Sequence, residues 1–485
     1  MLSKLRNYSK IIIIIVAIAM VASGALYGAL YGFGSRQSSS SNAPSSNIAE
    51  VNGTNITQEE YYSVLRSQAG MNNNLTRSQE IPFKYNVLSS IIDRNLILQE
   101  ADELGIESNI TEEDLNDYIN QILEDNEMTE EELSAYLAEN NSSLKEFKGQ
   151  LRENLRINNR IQQVEEQTYS NINVSEEEII NSYEKVQVQV IAKSTADDKD
   201  AAKNSINEAL EKLKNGGDFT EVANEYTDYN KVDLGMINKT NSPVPDNVTA
   251  KAFELEKGQV SDVIEHENAY YIIKVLDKKL ASGEDYENAK EEIKENILQQ
   301  KQNEAFSNWL TNFRAESNIT INDPILSGYK AVSNGNYSIA VAELEKAIEN
   351  YPTPMTYVYM AEAYKGNEQQ DKAIETFDKA VEEYPEDWEL HFNYASLLMG
   401  IEEADQEKII GLLDKASSSA NANLMAHYQL YMAYSQLGAT EKAESEMERM
   451  TELQTKMQEQ QNAGNENNQS PEVQNSDDNE ENSAE

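Results

Sequence analysis

Ala340, Leu344, Ala347 and Pro352 return 33 positions later as Ala373, Phe377, Ala380 and Pro385. The stretch NGNYSIAVAELEKAIENYP thereby lines up with NEQQDKAIETFDKAVEEYP. A looser third copy carries Ile410, Leu413 and Ala416, and a fourth carries Ala443, Met447 and Met450. A period of this length with apolar residues at helical spacing means one helix–turn–helix unit per copy. Such a unit cannot bury its apolar face alone, so the copies must stack into a helical solenoid. Small Ala residues let paired helices approach, and Pro closes each unit. The tyrosines Tyr357, Tyr359, Tyr364, Tyr428, Tyr431 and Tyr434 either line a concave binding surface or pack between the repeats.

Upstream, the pattern changes period. In EKVQVQVIAKS, Val186, Val188 and Val190 alternate with Gln187 and Gln189, the signature of a half-buried strand. Helices are expected before it. A short strand from Ile48 to Val51 reaches an Asn52-Gly53 turn, and Thr57 with Glu60 forms a capping-box pattern. Val87 to Ile106 repeats its apolar residues at helical spacing and stops at Gly105. Further helices begin at Thr111, Thr129, Ser142 and Ser175, each with acids in its first turn, where the helix dipole favours them. After the strand come a helix from Asp197 to Asn215, a second helix in DFTEVANEYTD, a Pro-containing loop, a helix through Phe253 and two strands ending in AYYIIKVLDKK. This is an α+β domain flanked by helices.

The 485 residues suffice for several domains. No cysteine is present, which excludes thiol catalysis, disulfides and thiolate metal sites, and 3 His leave little for an imidazole metal site. A net charge of −45 argues against nucleic acid as a partner, because the phosphate backbone recruits Lys and Arg. The acid excess implies a strongly solvated surface and suits high salt, where screening relieves repulsion.

At the N-terminus Lys4, Arg6 and Lys10 precede an uncharged apolar run from Ile11 to Phe33. About 20 apolar residues cross a bilayer, and preceding cations stay in the cytoplasm. The expectation is a cytoplasmic tail (1–10), a single transmembrane anchor (11–34) and a flexible linker (35–47), with the bulk of the chain outside the cytoplasmic membrane. A cleaved signal peptide, with its shorter apolar core, is the alternative.

GGDFTEVANEYTD, DLG, AFELEKGQVSDVI and AYYIIKVLD, in this order, resemble a parvulin-type (PpiC) peptidyl-prolyl isomerase domain. IAEVNGTNITQEEYYSVL and VLSSIIDRNLILQEADELGI resemble the N-terminal chaperone region of extracytoplasmic foldases of the SurA/PrsA type, and 291–323 resembles the helix and strand that complete it. The 33-residue copies resemble tetratricopeptide repeats. The implied architecture is multidomain and mostly α: a helical chaperone region (48–183 and 281–323) with an inserted α+β parvulin-like domain (184–280), an α-solenoid (324–455) and a disordered acidic tail (456–485).

In such domains the resemblance implies an apolar proline pocket and two histidines with a Cys or Asp between them, and no cofactor. Carried over by position, the histidines fall on Gln189 and Tyr271, and the Cys/Asp position falls near Tyr229. The pocket falls on Leu234, Val244 and Val248. All three polar positions depart from the family pattern, so weak or no isomerase activity is expected, with a Gln189–Tyr271 hydrogen-bond network in place of the imidazoles. The expected function is a protein-folding factor for unfolded secreted or envelope polypeptides, whose repeats hold a protein or peptide partner. An active isomerase and a repeat-based scaffold of an envelope complex are the alternatives.

Overall fold

The structure is a computed structural model, and it describes residues 47–69, 75–139 and 142–466. The described chain is mostly helical, with two small antiparallel sheets and a helical array at its C-terminal end. It divides into two compact units. One holds the described parts of 1–96, 109–156 and 317–485, and the other holds 97–108 and 157–316.

In the first unit, β1 (Asn47–Val51) lies between β2 (Thr54–Thr57) and β7 (Ile319–Ile321), antiparallel to both. The Asn52-Gly53 turn joins β1 to β2, and Gly53 supplies the positive φ of 83° that such a two-residue hairpin turn requires. Thr57 then caps α1 (Gln58–Ala69), accepting the Glu60 amide at 3.1 Å. Next, α2 (Arg77–Glu103) begins ten residues before the expected start, and Gly105 follows it at φ 65°. Behind capping boxes at Thr111 and Thr129 come α3 (Glu112–Asp125) and α4 (Glu130–Glu139). With α5 (Leu144–Thr168) they bury Leu115, Ile119, Leu133, Leu137, Phe147 and Leu151 together. The cap of α5 is Ser143 rather than Ser142, because Ser143 is the residue that exchanges bonds with Glu146.

The array follows as four helix pairs: α11 (Pro324–Ser333) with α12 (Tyr337–Asn350), α13 (Pro354–Gly366) with α14 (Gln370–Glu383), α15 (Trp388–Met399) with α16 (Gln406–Ser419), and α17 (Leu424–Gln436) with α18 (Thr440–Glu466). Ala340, Leu344, Ala347, Ala373, Phe377 and Ala380 are all buried, as the period requires. In the third copy the buried residue is Ile409, not Ile410, which restores the four-then-three spacing seen at Ala373, Phe377 and Ala380. In the fourth copy Met447 is exposed and Glu446 is buried in its stead.

Three tyrosines tie consecutive repeats. Tyr364 Oη donates to Glu345 at 2.9 Å, Tyr394 to Asp378 at 2.6 Å and Tyr434 to Asp414 at 2.8 Å. Lys372, Lys408 and Lys442 stand over the respective rings at 4.8 to 5.9 Å. Burial, reinforced by the bonded acids, pushes the Tyr364 and Tyr394 hydroxyls up to about 12. Tyr357, Tyr364 and Tyr434 therefore pack between helices, whereas Tyr428 is exposed.

Two boundaries need correction. The tail expected to be disordered from 456 is helical to Glu466, because Glu, Gln, Lys and Met extend a helix already nucleated on α17; residues 467–485 lie outside the described residues, as do 35–46 of the linker. The expected anchor (11–34) also lies outside them. No helix among the described residues is long and apolar enough to cross a membrane, contrary to the expected single-pass membrane placement.

In the second unit, α6 (Glu176–Tyr183), behind a Ser175 capping box, packs on α10 (Glu284–Glu316) through Ile179, Tyr183 and Tyr286. Between them in sequence lies the four-stranded sheet β4-β3-β6-β5, made of β3 (Lys185–Ser194), β4 (Asp233–Ile237), β5 (Ile264–His266) and β6 (Ala269–Lys279). The alternating strand is thus central, and side chains from flanking helices pack on both faces of the sheet, so it buries Val190 on one and Ile191 on the other.

Candidate functional site

Register decides which side chains of the sheet can meet. Directly opposed residues of an antiparallel pair share a face. β3 and β6 align Gln189 with Lys274, Val190 with Ile273, Ile191 with Ile272 and Ala192 with Tyr271. Val188, Val190, Ala192, Ile273 and Tyr271 therefore lie on one face, and Gln189, Ile191 and Ile272 lie on the other.

The Gln189 face is covered by α7 (Lys199–Lys214) and α8 (Phe219–Tyr226), whose Ile206, Ala209, Phe219 and Val222 pack on Ile191 and Ile272. There Gln189 Nε2 donates to Thr220 Oγ1 at 3.1 Å. Gln189 and Tyr271 thus stand on opposite faces, and the expected bond between them does not form. Both positions read as polar breaks in an apolar strand, but sequence gives the parity of each strand, not which parity of one faces which parity of the other.

The Tyr271 face gathers the remaining positions. α9 (Asp246–Glu254) lays Val248 and Ala252 across Val186, Val188, Val190, Ile273 and Val275, with Val244 beside them and Leu234 and Tyr271 at the margin. Val248 is 0% and Val244 7% exposed, so these two belong to the packed core of the sheet. Leu234 and Tyr271 are half-buried and Tyr229 is exposed, so these three remain accessible. Tyr229 Oη donates to the Pro243 carbonyl at 3.1 Å, which ties it to the Ser242–Pro245 loop. Below the loop Thr249 Oγ1 donates to Ser242 Oγ at 2.7 Å. Burial, then the neighbouring Tyr229 and Glu267, raises the Tyr271 hydroxyl above its ordinary value, so it stays protonated and can donate to a carbonyl. The arrangement is an apolar margin with two phenol hydroxyls.

Sequence reasoning put Val190 on the apolar face of the strand, but it assigned neither Val190 nor Ala192 to the site beside Tyr271. Their signal was present, because both are in phase with Val186 and Val188. The domain's one histidine, His266, ends β5 on the sheet edge, 3.9 Å from Glu267.

The family described as SurA-like N-terminal domain matches residues 1–161, the PPIC-type PPIASE domain matches 174–291, and the tetratricopeptide repeat matches 354–397. A "Chaperone SurA" of Hydrogenovibrio crunogenus is 30% identical over 224 residues, 42% of this chain and 48% of that protein. A "Foldase protein PrsA" of Clostridium acetobutylicum is 26% identical over 258 residues, 50% of this chain and 74% of that protein. The chain therefore spans about half the length of the first of these relatives. Among solved structures, the PrsA peptidylprolyl isomerase of Bacillus cereus aligns over 59% of this chain and 96% of its own, at 20% identity and a TM-score of 0.27. The chain thus carries a SurA-like N-terminal domain and a PPIC-type peptidyl-prolyl isomerase domain followed by tetratricopeptide repeats, and it is similar to the SurA chaperones and PrsA foldases.

Proposed function

We propose that this protein is a folding factor that holds unfolded polypeptides, and that its PPIC-type domain serves chiefly as a binding platform. The observation that carries the reading is the face of Tyr271: the β3 positions beside it are Val190 and Ala192, aliphatic residues with no proton to exchange. Uncatalysed rotation about an X–Pro bond faces a barrier of about 18–20 kcal/mol. Imidazoles at Gln189 and Tyr271 are absent from the sequence. Leu234 supplies apolar contact for a proline ring, and the Tyr271 hydroxyl supplies a donor for a flanking carbonyl, while the Tyr229 hydroxyl proton is held by the Pro243 carbonyl. The repeats are assigned a protein or peptide partner, which fits their helix-pair architecture.

A second reading, residual isomerase activity, has its own support. Desolvation of a proline against Leu234, with a phenol donor at the carbonyl, favours the twisted and less conjugated amide without any imidazole.

The test joins protease-coupled isomerisation of X–Pro peptides with suppression of client aggregation, both on the full chain. Suppression with little isomerisation is expected. Isomerisation that Tyr271→Phe abolishes would establish the second reading, and failure to suppress aggregation would refute the first.

A further inference from the structure

The chain's own α2 crosses the helical array. Tyr85 on α2 sets its ring edge-on against Tyr329 of α11, with centroids 5.4 Å apart. Tyr329 in turn meets Tyr359 of α13, again edge-on, at 5.2 Å. Two turns nearer the start of α2, Arg77 pairs with Asp387, the cap of α15. All of these residues belong to the first unit. From Arg77 to Tyr85 a helix rises about 12 Å. Three neighbouring helices at a spacing of about 8–10 Å span somewhat more, and the long Arg77 side chain covers the difference. The first two turns of α2 therefore run from the first helix pair to the third.

They run along the inner side. The first helices α11, α13, α15 and α17 pack on one another more closely than the second helices do, so the array curves around them, and such a concave side is where stacked repeats bind. The chemistry of this side is aromatic and acidic. Burial, then Tyr329, Glu362 and Glu389, raises the Tyr359 hydroxyl, which sets both acids beside the ring. Asp387 is a third acid, its side chain 5% exposed. The second residues of α13 and α15, Met355 and Glu389, are each 8% exposed, whereas their counterpart on α17, Met425, is 60% exposed. The inner side is thus buried along the pairs that α2 spans and exposed past them. Separately, Tyr61 Oη donates to the Lys84 carbonyl at 3.1 Å, which holds α2 on α1.

We propose that α2 is an internal ligand of the repeats: it fills the inner side of the first three helix pairs, and a partner reaches that side only by displacing it. The partner that fits is a helical polypeptide segment with an aromatic residue and a cation about two turns apart, as Tyr85 and Arg77 are. This deepens the assignment of a polypeptide partner to the repeats and rests on it. A tethered ligand acts at a high effective concentration. A free partner therefore binds only the fraction of chains that α2 has left, and its apparent affinity falls by that fraction.

Fluorescence anisotropy of a labelled peptide of residues 75–92, titrated with the full chain, tests this. The chain carrying Arg77→Glu with Tyr85→Ala should bind the peptide about 10-fold or more tightly than the wild type, because its own α2 no longer competes. If the double variant folds poorly, Arg77→Glu alone, at a residue 63% exposed, repeats the test. Adding Tyr359→Ala should abolish the gain. So should Asp387→Asn, which keeps a capping residue at the start of α15. A peptide that itself carries Arg77→Glu and Tyr85→Ala should bind neither form. Equal binding by the wild type and the substituted chain overturns the competition and leaves the repeats as a peptide receptor. Binding by neither overturns both. A gain that survives Tyr359→Ala and Asp387→Asn overturns the site.

Discussion

Glu446→Ala should unlock the last repeat while leaving the others folded. The carboxylate and the His427 ring are each 3% exposed. His427 Nδ1 meets Glu446 Oε2 at 2.5 Å, and its Nε2 meets the Asn421 carbonyl at 2.8 Å. Both ring nitrogens thus have partners inside the repeat, and the Glu446 carboxyl is one of them. The other carboxyl oxygen accepts from Ser417 Oγ at 2.5 Å and Arg449 Nη1 at 3.2 Å. Removing Glu446 leaves a buried ring nitrogen and a half-buried hydroxyl without their partners, about 1–3 kcal/mol for each. The Arg449 contribution is small, because that side chain is about half exposed. Since repeats are stabilised by their neighbours, the loss should be local. Native-state hydrogen exchange is the assay: amides of α17 and α18 should exchange more than about 100-fold faster, with α13 and α14 unchanged. Adding His427→Ala should recover part of the loss, with a coupling of about 1 kcal/mol or more. A change below about 0.5 kcal/mol, or strict additivity of the two substitutions, would refute the buried pair.

Other outcomes follow from the same coordinates. Phe377→Ala empties a site where the ring stacks on Tyr394 at 5.1 Å, and urea titration should register a loss of about 3–5 kcal/mol. Gly328→Ala would place its Cβ 2.5 Å from Leu344 Cγ, inside a packed core; overpacking costs about 1–3 kcal/mol and should outweigh the gain in helix propensity, lowering the urea midpoint. Lys301, then the Ser175 backbone amide, holds the Glu178 carboxyl at about 2 against an ordinary 4.5. A depressed carboxylate stabilises the fold above its unfolded value, so the α6 cap should weaken as pH falls from 4.5 toward 2, which exchange in α6 can follow. With a net charge of −45, unfolding midpoints should rise between low and molar salt, and a flat response would remove self-repulsion as a term in stability.

Local chemistry wrote much of this protein in plain view. The caps at Thr111, Thr129 and Ser175 follow from hydroxyls and acids three residues apart, and they stand where the pattern put them. The strand at Val186–Val190 and the helix pairs from 324 onward follow from periods of two and 33, because a period directly states which residues share a face. What a period does not state is which partner that face meets. Gln189 and Tyr271 looked like neighbours on adjacent strands, yet the antiparallel register sets them on opposite faces, since one residue of slip inverts every side chain. Likewise β1 pairs with β7 across about 270 residues of chain, and Glu446 is buried, rather than Met447, because His427 and Ser417 on two other helices offer it donors. Composition and spacing determined the elements and their apolar faces. The tertiary structure decided the partners, because register and burial depend on residues far away in sequence that no local window contains.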